Sequence, residues 1–267
     1  MTRTIVLLIS AVLYAGLAGC ASTPEEPPTD KELYEQAKEA QDRADYQLAQ
    51  EKFDELVATY PASAYAQQGL LDVAFLHYQR GEYRSSRDAA DRFLLAYPDH
   101  ESASYALYLK GLAFFQEDQN LVDRLGFQDP TERNPESMRQ AFAVFKQLVE
   151  QYPESSYAED ASLRMRYLIS ALALGESHVA KYYLRRKAPL AAIGRAKSVL
   201  ENYPDSSASE DVLEVLARAY HMMGAYTEMN KALKLLEFNY PDNEALNELR
   251  EIGGLSNDDD NSTDDNS

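Results

Sequence analysis

Few side chains in this sequence are placed to do chemistry, and the first of them is a thiol. Cys20 is the only cysteine, so it can form no internal disulfide and the chain can build no cysteine-ligated zinc cluster. The four histidines, His77, His100, His178 and His221, stand far apart without metal-ligand spacing, and each reads as a surface or packed residue. There is no G-x-S-x-G, H-E-x-x-H, Walker loop or G-x-G-x-x-G. Acidic pairs such as Asp42 and Asp45 are ordinary on helix surfaces. No catalytic centre, cofactor or metal is therefore expected. The 19 tyrosines and one basic cluster, Lys181, Arg185, Arg186 and Lys187, suit non-covalent recognition of other macromolecules.

The surroundings of the thiol explain its position. Met1-Thr2-Arg3-Thr4 is a short positive segment, and Ile5 to Leu17 is apolar apart from Ser10, Tyr14 and Gly16. The run is shorter than the ~20 residues that span a bilayer and reads as a secretory signal. Leu17-Ala18-Gly19-Cys20 resembles the lipobox of bacterial lipoproteins: the thiol would carry a diacylglycerol, and the small residues before it would fit the peptidase. Residues 1–19 are then a signal peptide and Cys20 a lipidation site holding the chain to a membrane. Ala21, where aspartate would favour the inner membrane in many Gram-negative bacteria, points to the outer one. Residues 20–30, rich in Pro and Glu, read as a tether. The net charge of −18, which becomes −19 when Arg3 leaves with the signal, repels nucleic acid and favours basic protein surfaces.

The elements that position everything else are written in Tyr-Pro. Tyr60-Pro61, Tyr97-Pro98, Tyr152-Pro153, Tyr203-Pro204 and Tyr240-Pro241 place prolines 37, 55, 51 and 37 residues apart. The short interval fits one helix-turn-helix unit; the long ones carry 18 and 14 extra residues. Proline lacks an N–H and clashes with a continuing helix, so it ends the second helix of each pair, and the tyrosine before it can pack on the next pair. Tyr46, Tyr83 and Tyr226 lie 15 residues before three of the prolines, and Gly81 and Gly224 lie two residues before the latter two tyrosines, where the chain must turn. Ala74, Gly111 and Ala217, each 13 residues after a proline, are small where helices must approach; Arg166 interrupts that pattern. Leu48, Phe53, Leu56 and Val57 form one apolar face, as do Phe142, Phe145, Leu148 and Val149. No window alternates as a strand does.

The pattern resembles a tetratricopeptide array: Ala49-x-x-x-Phe53 before Pro61 and Ala141-x-x-x-Phe145 before Pro153 match its second-helix motif, though no tryptophan starts it. The expected fold is all-α, a right-handed superhelical solenoid of about five helix-turn-helix repeats, with first helices lining a concave groove. Carrying over the inward positions of that repeat puts Tyr34, Lys38, Gln68, Leu71, Phe75, Tyr78, Tyr105 and Tyr108 in a groove for an extended peptide. Repeats one and two occupy 31–98; repeats three to five occupy 99–253, with a capping helix over Asn243 to Ile252. Two inserts interrupt them. Gln116 to Asn134 reads as a structured loop, with Leu121, Val122, Leu125 and Phe127 either pinning it to the body or forming a contact surface. Glu176 to Pro189 carries the basic cluster and, if helical, a buried stripe of Val179, Tyr182, Tyr183 and Leu184. Residues 254–267, with five aspartates, read as a disordered acidic tail.

Three segments extend the resemblance to a family: Leu125-Gly126-Phe127 followed by Arg133-Asn134-Pro135; Val179-Ala180-Lys181-Tyr182-Tyr183-Leu184-Arg185-Arg186; and Ala192-x-x-Arg195-Ala196-x-x-Val199-Leu200-x-x-Tyr203-Pro204. Together with the lipobox and repeats they resemble the outer membrane protein assembly factor BamD family over nearly all of the mature chain. Asn134, where that family often has aspartate, and the acidic tail depart from it. The resemblance implies a periplasm-facing, lipid-anchored scaffold of the β-barrel assembly machinery. Its N-terminal repeats would receive unfolded outer-membrane proteins. Its C-terminal repeats, through Lys181, Arg185, Arg186 and Arg195, would dock on the barrel-forming subunit among other lipoproteins of the complex. The alternative is a periplasmic repeat adaptor coordinating cell-wall enzymes with envelope constriction. Such adaptors carry an N-terminal coiled coil, and no sustained heptad lies between Cys20 and Tyr46.

Overall fold

The computed structural model describes residues 26–116 and 135–254. The signal segment, Cys20, the apolar residues of the 117–134 insert and the acidic tail lie outside them. Among the described residues the structure is entirely helical: α1 Asp30–Asp42, α2 Tyr46–Thr59, α3 Ala64–Gln79, α4 Tyr83–Ala96, α5 Ala103–Gln116, α6 Pro135–Gln151, α7 Ala158–Arg185, α8 Pro189–Asn202, α9 Ser209–Met222, α10 Tyr226–Asn239 and α11 Leu246–Gly253. No helix among them is long and apolar enough to cross a membrane. The chain divides at Gly69/Leu70 into two compact units.

The Tyr-Pro corners share one backbone geometry. Each tyrosine N–H is the last to bond back four residues, from Tyr60 to the Leu56 carbonyl, Tyr97 to Phe93, Tyr152 to Leu148, Tyr203 to Val199 and Tyr240 to Leu236. Proline then ends the ladder, and the tyrosine carbonyl accepts a turn-closing N–H from Ser63, His100, Ser155, Ser206 or Asn243. At four corners the side chain of that last residue reaches on. Ser63, His100, Ser155 and Asn243 accept from the N–H of Tyr65, Ser102, Tyr157 and Ala245, steering the chain into the next helix. The tyrosine rings reach back and not only onward: the Tyr60 hydroxyl donates to the Pro28 carbonyl at 2.9 Å, and Tyr152 to that of Pro98 at 3.4 Å.

The turns within pairs also repeat. Ala44, Gly81, Lys187 and Gly224 have φ of 59°, 74°, 57° and 69°, and each donates to the carbonyl three residues back while the next N–H reaches five back. This is the Schellman closure of a helix C-terminus. Counted from these turns, the small-residue pattern that Arg166 interrupts is restored. Ala37, Ala74, Ala180 and Ala217 each precede a left-handed residue by seven positions, and all are 0% exposed. The 14 extra residues of the fourth repeat are no loop. They lengthen its first helix, so that α7 runs for 28 residues and Arg166 lies on its exposed side.

Unit one packs α1 on α2, with Leu33, Phe53 and Leu56 closed off from solvent. A capping box starts α1: Thr29 Oγ1 accepts from the Glu32 N–H, and Glu32 accepts from the Thr29 N–H. A Cβ on Gly69 would lie 3.2 Å from the Phe53 ring, so this position keeps α3 close to α2. In unit two, consecutive helices from α4 to α11 pack on one another, α7 also touches α9, and α9 touches α11. The first helices α7, α9 and α11 are thus successive neighbours, as in a tetratricopeptide-like stack. One core gathers Leu107, Met138, Phe145, Leu148 and Leu168; the other gathers Val199, Val212, Leu216, Met229 and Leu236. The expected stripe on α7 is only half formed. Tyr183 and Leu184 pack on the core, whereas Val179 and Tyr182 are 37% and 50% exposed, because consecutive residues on a helix diverge by about 100°.

Candidate recognition surfaces

In unit one the expected groove residues are Tyr34, Lys38 and Gln68. Tyr34 is half-buried, edge-on to Phe53 with centroids 6.0 Å apart and tilted on Tyr65 at 5.4 Å. Lys38 donates to Gln41 at 2.9 Å, and Gln68 is exposed. The ring of Tyr34 thus has a packing role, with part of its surface left for contact.

Unit two assembles a denser constellation. Tyr78 at the end of α3, Tyr105 and Tyr108 on α5, and Phe75 are all half-buried. Leu71, in contrast, is 1% exposed and belongs to the core; it faces the interior, so no peptide can touch it in this conformation. Tyr157, from the corner before α7, stacks on Tyr108 at 4.9 Å and lies 5.5 Å from Tyr105. The Tyr108 hydroxyl donates to Asp160 at 2.7 Å, and Arg164 Nε donates to the same carboxylate at 2.5 Å. The Arg164 guanidinium lies 5.0 Å over the Phe115 ring, and Tyr167 closes the edge, 5.7 Å from Phe115. Tyr83 approaches Tyr78 at 5.7 Å.

Burial sets the electrostatics here. It pushes the Tyr105 phenol up to about 12, with the neighbouring Tyr157 and Asp72 adding to the rise. Tyr78 and Tyr108 are raised for the same first reason, and the hydrogen bond to Asp160 adds to the rise at Tyr108. Burial also pushes Asp160 up, but the hydrogen bonds from Arg164 and Tyr108 outweigh it and leave the carboxyl below its usual range. At neutral pH the wall is neutral phenols around one ion pair. It offers flat apolar faces and phenol hydroxyls, that of Tyr108 already engaged with Asp160. The sequence reading names Tyr78, Tyr105 and Tyr108; Tyr157, Asp160, Arg164 and Phe115, which the structure brings beside them, it does not name. The i, i+4 spacing of Asp160 and Arg164 was the available signal for the ion pair.

The docking residues lie on α7 and α8. Lys181 pairs with Asp211 at 2.7 Å. Arg185 and Arg186 are exposed at the end of α7 and, among the described residues, form no ion pair. Arg195 pairs within the chain, with Glu176 at 2.9 Å, and Arg139 approaches the other oxygen of that carboxylate at 3.7 Å. Glu176 therefore ties α6 and α8 to α7. Among the described residues no group of His, Cys, Asp or Glu is arranged to hold a metal ion.

Residues 27–235 match the YfiO family, described as outer membrane lipoprotein. The outer membrane protein assembly factor BamD of Neisseria gonorrhoeae is 33% identical over 241 residues, which cover 90% of this chain and 90% of that one. The BamD of Vibrio cholerae is 35% identical over 225 residues, covering 84% and 93%. Among solved structures, a tetratricopeptide repeat protein from Parabacteroides merdae is similar at 15% identity and a TM-score of 0.35, covering 85% of this chain and 74% of that one. Sequence likeness of this length, carried through stacked helix pairs, is that of an outer membrane protein assembly factor: the chain belongs to the YfiO family of outer membrane lipoproteins, whose members include BamD.

Proposed function

We propose that this chain is a lipid-anchored, periplasm-facing scaffold of the β-barrel assembly machinery. Cys20 carries the anchor. The repeats of 31–98 receive unfolded outer-membrane proteins. The repeats of 99–253 dock on the barrel-forming subunit through Arg185, Arg186, Arg195 and Lys181, beside other lipoproteins of the complex. Assembly is the activity for which the relatives are named. The observation that supports the reading is the tyrosine wall, which starts at Tyr78 in the N-terminal repeats and runs on through Tyr105, Tyr108 and Tyr157 of the next: half-buried rings, with Tyr108 tied to Asp160, leave part of their surface for an extended chain. Aromatic rings supply large contact area at small entropic cost.

The test is peptide binding. Tyr78→Ala should weaken binding of an unfolded outer-membrane protein segment by about tenfold, the scale of losing one aromatic anchor, with helical circular dichroism unchanged. Unaltered affinity would remove Tyr78 from the groove. Cys20→Ser should release the chain into the soluble periplasmic fraction. Purification from detergent-solubilised envelopes with Cys20 intact should recover a β-barrel assembly subunit; repeated recovery without one counts against the whole reading.

A further inference from the structure

Between Glu176 and Glu201 the chain holds no acid but six cations: Lys181, Arg185, Arg186, Lys187, Arg195 and Lys197. Two of them are matched inside the fold, Lys181 by Asp211 at 2.7 Å and Arg195 by Glu176 at 2.9 Å. Arg185, Arg186 and Lys187, at the turn from α7 into α8, are exposed, and among the described residues no carboxylate pairs with them. These unmatched cations stand in a chain of net charge −18, whose residues 255–267 carry five aspartates and no basic residue. The fold delivers those residues to the same edge. Lys187, Gly224 and Gly254, at φ 57°, 69° and 72°, close α7, α9 and α11, each donating to the carbonyl three residues back. With α8 and α10 running back between them, α7, α9 and α11 are parallel and pack in that order. Packed helix axes lie about 8–10 Å apart, so the basic turn and Gly254 are roughly 20 Å from each other along one edge. Asp264 and Asp265 follow Gly254 by ten and eleven residues. A polar segment of that length has a mean span of about 17 Å and a full reach of about 33 Å. Span and distance match, the condition under which a tether gives its highest effective concentration. At the exit end stand two exposed acids, Glu251 and Glu228, the latter next to the Met229 on which Gly253 packs. They repel the aspartates and favour the basic end.

We infer that residues 255–267 fold back along this edge and cover the basic turn, with Asp264 and Asp265 pairing with Arg185, Arg186 and Lys187. The cover is autoinhibitory. A partner that uses Arg185 and Arg186 must first displace aspartates that their own chain holds there at about millimolar effective concentration. That consequence rests on the docking reading above; the cover itself does not. The contact is electrostatic and exposed, so it is weak and falls with salt. It filters without closing the site. A lone carboxylate competes poorly with the tethered ones, whereas a partner with further contacts prevails.

The chain contains no tryptophan, so Leu190→Trp, at a site 71% exposed beside the basic turn, supplies a single fluorescent reporter. Acrylamide quenching is measured on the full chain purified in detergent, at about 0.01 M and about 0.5 M salt. At low salt, quenching should be about half that of the same chain with Asp258, Asp259, Asp260, Asp264 and Asp265 all replaced by asparagine; at high salt the two should agree. Equal quenching at low salt overturns the cover and leaves the docking reading untouched. Protection that survives Arg185→Gln, Arg186→Gln and Lys187→Gln together overturns it too. So does protection that grows with protein concentration, which assigns the tail to a second copy. Should Leu190→Trp lose helical signal, carbodiimide coupling takes its place. Lys187 should then join a tail aspartate in preference to the exposed Lys31 and Lys146, and equal coupling to all three overturns the cover. The inhibitory step is read by titrating the chain, with its aspartates or with asparagines, against the purified barrel-forming subunit. Asparagines should tighten binding about threefold at low salt. Protection without tightening leaves the cover standing and overturns both the inhibition and the docking role of Arg185 and Arg186.

Discussion

Two residues occupy left-handed backbone without being glycine. Ala44 and Lys187 sit at φ 59° and 57° where Gly81 and Gly224 serve the equivalent turns. A side chain in that region costs about 1 kcal/mol, and glycine relieves it while losing some of the gain to a freer unfolded chain. Ala44→Gly and Lys187→Gly should each raise unfolding free energy by about 0.5 kcal/mol in urea titrations. Gly111 is the converse case. A Cβ there would lie 2.5 Å from the Phe145 ring, and Phe145 is fully buried, so the ring cannot swing aside without moving α6. Gly111→Ala should destabilise by about 1–3 kcal/mol through overpacking, read by the same titration. The smallness of position 111 was legible in the repeat spacing. The demand at 44 and 187 was not, because alanine and lysine give no local sign of a backbone that the Schellman closure imposes from outside.

At the scale of elements, one guanidinium clasps the last helix to its neighbour. Arg218 of α9 bonds both oxygens of Glu248 on α11, at 2.7 and 2.8 Å, and Glu214 within its own helix at 2.8 Å. Apart from this, α11 is only eight residues long and is held by Leu246 and Leu249 and by Arg250 to Glu237 at 2.6 Å. Arg218→Ala should lower amide protection along Leu246–Gly253 in hydrogen exchange while α9 and α10 keep theirs. Acid should act similarly. Arg218 holds the Glu248 carboxyl below its usual range, so its contribution is present above the unfolded pKa and is lost as pH falls through the lower folded value. Alkali acts on α5: a Tyr105 raised to about 12 contributes stability below the ordinary phenol value that is lost as pH climbs towards the folded one. Tyrosinate absorbance should show late-titrating phenols, with Tyr105→Phe removing one of them while those of Tyr78 and Tyr108 remain. The helices themselves were readable from Tyr-Pro spacing, since a proline ends a helix whatever surrounds it. Which helix absorbed the 14 extra residues was not: Glu176 to Pro189 looked like an insert, and only packing of Ala180 against its paired helix shows that α7 simply continues.

For the molecule as a whole, the charge of −18 works against compactness. Raising ionic strength from 0.01 to 0.15 M, where the screening length falls from about 30 to about 8 Å, should raise the thermal midpoint of the chain by a few degrees; an unchanged or falling midpoint would show that local pairs outweigh net repulsion. The all-helical class, the five corners, the absence of catalytic motifs and the family were each determined by the sequence alone, because proline stops, apolar periodicity and motif spacing are properties of neighbours along the chain. Tertiary structure alone decided which aromatic rings are walls and which are core. Leu71 and Phe75 differ by one helical turn in sequence, yet one is sealed and the other half open. Tyr157, Asp160 and Arg164 join Tyr108 only because α5 and α7 lie side by side. Burial and charge pairing depend on what a neighbouring helix brings, and residues fifty positions away leave no trace in local pattern.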